Sequence, residues 1–181
     1  MMAAPSPAVL ISYVTMTHST NASATAQVVA RLRAILAAQL NSPDAGLVLC
    51  DIAKVPENLE LRASTPRVLV DFAQGQGATL DAARLVEMPR EMASRIAREL
   101  FRGPLVGPAV RTRADAHGLA SMFLDHFCED ARFYYTLRCS IDTKHDLLKH
   151  TGFPLLGTSM ELGFFAIDSS HVGCLIVGDE D

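Results

Sequence analysis

The stretch "GLVLCDIAKVPENLELRASTPRVLVDFA", residues 46–73, decides between the two folds that the order of elements in this chain allows. Its ends, 46–53 and 67–73, are short apolar runs of the kind that forms buried strands. Between them, 54–66 carries Pro56 and Pro66 and has room for no more than one short helical turn. Parallel neighbours need a crossover connection of roughly a dozen residues, ordinarily a helix, whereas antiparallel strands need none. The segment therefore predicts an α+β protein, a single-domain layered sandwich with a mixed sheet and helices packed on it.

Toward the N-terminus, "AVLISYVTM" (8–16) reads as a first strand, followed by the hydroxyl-rich "THSTN" and a helix over 22–40. In that helix Val28, Val29, Leu32, Ile35, Leu36 and Leu40 recur at helical spacing. Strand, Ser/Thr-rich loop and helix together make the first 60 residues similar in outline to the flavodoxin-like fold. That resemblance implies a three-layer α/β sandwich and a flavin phosphate held near Thr17, Ser19 and Thr20. The family's Thr-Gly-Asn-Thr core is represented here by Thr17-His18-Ser19-Thr20-Asn21, which lacks the glycine. The same early order also fits a ferredoxin-like sandwich, in which such a loop carries no ligand.

Toward the C-terminus, "GQGATLDAARLVEMPREMASRIARELFRG" (75–103) reads as a glycine turn opening a helix at Thr79. Pro89 then fits the first turn of a second helical segment, which Gly103-Pro104 ends. The Gly/Pro breaks that follow predict a surface loop over 103–118. A helix over 114–130, a strand over 132–140, a helix over 143–151 and strands over 163–167 and 172–177 complete the reading. Asp142 and Gly152 suit the ends of the third of these, and Asp168-Ser169-Ser170-His171 suits a hairpin loop.

The 181 residues fit one domain, and 49% hydrophobic with 20% charged residues is an ordinary globular balance. A surplus of apolar residues at this length predicts a homo-oligomer. The net charge of −4 removes the general attraction that duplex nucleic acid or an anionic membrane needs. Four cysteines without a Cys-x-x-Cys pair or a secretory leader predict reduced thiols in a cytoplasmic protein. The first 43 residues contain no acid, so organelle import is the alternative location.

Four groups of residues could carry chemistry. The first is the glycine turn, where Gly75, Gly77, Thr79 and Arg84 could bind an anionic small molecule if the turn opens a helix. Beside it, seven arginines between positions 84 and 113 face only three glutamates, a local basic bias. The second is a scatter of His117, His126, Cys128, Asp142, His145, Asp146, His150 and His171, from which a metal site or a Cys–His pair such as Cys174 with His171 could be drawn. No closely spaced ligand pair favours a metal. The third is the hydroxyl-rich loop at 15–21. The last is the terminal Gly178-Asp179-Glu180-Asp181, similar to the Gly-Asp-Asp turn of polymerases but expected here as a solvated tail. The leading expectation is a module that binds an anionic molecule or partner at the glycine turn and the arginine-rich face. A non-catalytic homo-oligomeric assembly protein and a small hydrolase or transferase using the His-rich C-terminal half are the alternatives.

Overall fold

A computed structural model describes residues 20–40, 46–55, 61–105, 114–136, 139–142, 147–150, 155–156, 158 and 160–179. Along the chain run α1 (Thr20–Ala37), β1 (Leu47–Lys54), α2 (Leu61–Gly75), a 3₁₀ turn (Ala82–Arg84) and β2 (Leu85–Met88). Next come α3 (Arg90–Arg102), α4 (Ala116–Leu124), β3 (Arg132–Thr136), β4 (Cys139–Asp142), β5 (Leu147–His150), β6 (Met160–Ile167) and β7 (His171–Asp179). Five strands form one sheet in the order β1-β7-β6-β3-β2, and β4 and β5 pair separately. Every pairing is antiparallel. The α+β class is therefore the observed one, and the flavodoxin-like alternative, which needs parallel neighbours, is not. The expected mixed sheet has no parallel component among the described residues.

Side chains alternate between the two faces of a strand, and both faces here are covered. Phe133, Leu162, Phe164, Ala166, Leu175 and Val177 join a core with α1, α3 and α4. Their neighbours Tyr134, Phe165, Ile167, Val172, Cys174 and Ile176 join a second core with α2. This explains why Val172 to Asp179 are buried without interruption on β7, a pattern that strands acquire when helices cover both sides. Two cores also absorb the apolar surplus: Leu47, at 48%, is the large hydrophobic side chain left exposed among the described residues. Within the first core Phe123 and Phe164 meet edge to face at 5.8 Å, an arrangement worth roughly 1 kcal/mol beyond area burial.

Three expected elements come out differently. Residues 67–73 are helix rather than strand. In α2, Thr65, Val68, Leu69, Phe72 and Ala73 are buried, the i, i+3, i+4, i+7, i+8 series of a one-sided helix. Pro66, on the exposed side, forgoes one backbone bond without ending it. The helix expected after the glycine turn is a single 3₁₀ turn and then β2. Pro89 disfavours the helical region at the residue before it, so Met88 stays extended and α3 begins only at Arg90. Of the expected helix over 143–151, the described residues 147–150 are strand β5, paired with β4 in a register that sets Ile141 against Leu148 and Cys139 against His150. A nine-residue helix is marginal without tertiary packing. The expected strand over 8–16 and residues 15–19 of the expected loop lie outside the described residues, whereas Thr20 and Asn21 belong to α1; of the expected loop over 103–118, residues 106–113 lie outside them and Ala116 already begins α4.

Strand β1 lies at one margin of the sheet. Its centre is closed to further pairing: the Arg33 guanidinium donates to the Cys50 carbonyl at 2.8 Å, and the Ile52 N–H donates to Asp51 Oδ1 at 2.9 Å. Gln76 donates to the other Asp51 oxygen at 2.7 Å and holds that carboxylate in place. Side chains that occupy edge donors and acceptors oppose edge-to-edge association.

Candidate functional site

The glycine turn ends a helix instead of opening one. Gly77 has φ +81°, the left-handed conformation that glycine adopts just past a helix C-terminus. The Ala78 N–H donates to the Ala73 carbonyl at 2.9 Å and the Gly77 N–H to the Gln74 carbonyl at 3.0 Å. The backbone donors that could cradle an anion are thus spent on the last carbonyls of α2, where the helix dipole is negative. Thr79 is exposed and caps no helix. Asp81 caps the 3₁₀ turn, its own carboxylate accepting from the Ala83 N–H at 3.0 Å where an anion would sit, and it lies 3.5 Å from the Arg84 guanidinium.

The arginines divide between the two faces of the sheet. Arg84 lies with α2 and the glycine turn, whereas α3, which carries Arg90, Arg95, Arg98 and Arg102, packs in the opposite core. Arg102 pairs with Glu99 at 2.9 Å. Arg90 turns inward. Its guanidinium donates to the carbonyls of Leu124, Phe127 and Cys128 and lies 5.5 Å from the Phe133 ring centre. It caps the C-terminal end of α4, where a cation is favoured.

A group of three reactive side chains does assemble, from residues far apart in sequence. The Asp168 side chain is fully buried in the loop between β6 and β7. Its Oδ1 accepts from the N–H groups of Ser170 at 2.7 Å and His171 at 2.6 Å, and its Oδ2 from the Cys128 N–H at 2.8 Å. The Cys128 thiol donates to the same carboxylate. His171 stands edge-on to Phe127, with ring centres 6.4 Å apart, and its Nδ1 is 3.9 Å from Asp168 Oδ1. That nitrogen is buried and finds no hydrogen-bond partner among the described residues.

Cysteine, histidine and aspartate are the components of a nucleophilic triad, but their connections here differ from a working one. A thiol nucleophile needs an imidazole to take its proton and a carboxylate to orient that imidazole. Here the carboxylate receives the thiol directly. The charge of Asp168, then its hydrogen bond, burial and Asp130 push the Cys128 thiol above its ordinary range, and a thiol held protonated is a poor nucleophile. Burial alone would raise the Asp168 carboxyl, but the three backbone donors and the thiol outweigh it and leave it lowered.

Among the described residues the other expected groupings do not form; His145 and Asp146 lie outside them. Cys174 and His171 are three residues apart on β7 and face opposite sides of the sheet. Burial pushes Cys50 up to about 12 and raises Cys174 as well. His126 Nδ1 lies 2.9 Å from the Met122 carbonyl. Among the described residues no three His, Cys, Asp or Glu side chains gather closely enough to hold a metal ion. Asp179 is fully buried at the end of β7 rather than part of a solvated tail. No described helix is long and apolar enough to cross a membrane.

No protein-family model, no curated protein and no solved structure matches the chain.

Proposed function

We propose that the chain is a non-catalytic assembly module that associates with a second copy of itself through the outer face of α1. One observation carries this reading. Opposite the buried Val29, Leu32 and Leu36, the solvent side of α1 exposes Ala26, Ala30, Ala34 and Ala37, with Gln27 among them and Arg31 and Arg33 at its margins. Small side chains let a second helix approach closely, and a face of methyl groups loses little on leaving water. The closed centre of β1 directs association to the helix rather than to the sheet edge. The test is light scattering on wild type and on the Ala30→Glu/Ala34→Glu double variant, with circular dichroism to check folding. A wild-type oligomer that becomes a folded monomer supports the reading, and a wild-type monomer at about 100 μM removes it.

A second reading keeps an anionic small molecule at Gly75, Gly77, Thr79 and Arg84. In its favour, the two glycines, Thr79 and Arg84 are all exposed on one side of the sheet. Against it stand the spent N–H groups and the negative end of α2. Phosphate or sulfate that raises the melting temperature of wild type but not of Arg84→Ala would support it.

A further inference from the structure

We draw no further inference here: the strongest candidate, the cleft between the ends of α1, α3 and β7 lined by Leu36, Leu40, Leu100 and Val177, where the buried Gln39 Oε1 accepts no hydrogen bond from a described residue, has room for about one water molecule, and nothing in the structure shows what covers it.

Discussion

Arg90 and Asp168 hold the backbone of Cys128 from opposite ends: the guanidinium donates to its carbonyl at 2.8 Å and the carboxylate accepts from its N–H at 2.8 Å. The turn after α4 is thereby fastened to the start of α3 and to the β6–β7 hairpin at once. Both groups are charged and both act on backbone, so the arrangement stabilises the fold in ways that single substitutions can measure.

Removing the carboxylate should be costly. Asp168→Ala leaves the part-buried N–H groups of Cys128, Ser170 and His171 without their acceptor, and a lost hydrogen bond to a charged group costs about 1.5–3 kcal/mol before water replaces any of it. Urea denaturation should show a loss on the order of 3 kcal/mol. The folded carboxyl titrates below the unfolded value of about 3.9, so its contribution is complete above that value and is lost as the pH falls through the folded one. Asp168→Asn should flatten this acid limb; an unchanged limb would mean that Asp168 contributes little to acid stability.

Cys128 should be exposed yet sluggish. With Cys139 replaced by serine, Cys50 and Cys174 are buried, so iodoacetamide at pH 8 reports on Cys128. Wild type should react several-fold more slowly than a small free thiol, and Asp168→Asn should restore the rate. Equal rates in the two proteins would show that the carboxylate does not hold the proton.

Arg90 should resist conservative replacement. Charge-assisted hydrogen bonds are worth about 1.5–3 kcal/mol, and a lysine ammonium cannot fork across three carbonyls while lying over the Phe133 ring. Arg90→Lys should therefore lose about as much thermal stability as Arg90→Ala. Full rescue by lysine would reduce the interaction to a point charge beside the end of α4.

The glycines should separate by surroundings. A Cβ on Gly163 would run into the Leu175 carbonyl and the Ile176 main chain, so Gly163→Ala should cost about 3 kcal/mol. Gly75 lies in α2 with open space around it, and Gly75→Ala should stabilise by roughly 0.5 kcal/mol through the unfolded chain. Gly77→Ala, at positive φ, should destabilise by about 1 kcal/mol. Denaturation midpoints in which Gly75→Ala and Gly77→Ala fall together would contradict a helix C-terminus at this turn.

The sequence by itself determined α1, β1 and the β6–β7 hairpin, because their apolar periodicity and turn residues are local signals; it reached the α+β class from two strands at 46–53 and 67–73, of which only the first exists. It misread 67–73 because an apolar run of seven residues fits either period, and the series that marks α2 starts at Thr65, before Pro66, where the strand reading had placed a boundary. It placed Asp168 in a hairpin loop, and left Cys128 and His171 in a scatter of possible ligands and nucleophiles that no spacing brought together. Only tertiary structure could bring Asp168 to Cys128, forty residues away, since β3 must first pair with β6, and β6 with β7. The same packing set the sign of the glycine turn: whether such a turn opens or closes a helix depends on what precedes it, and here that was α2, whose buried face became visible only once the sheet had a second side to cover.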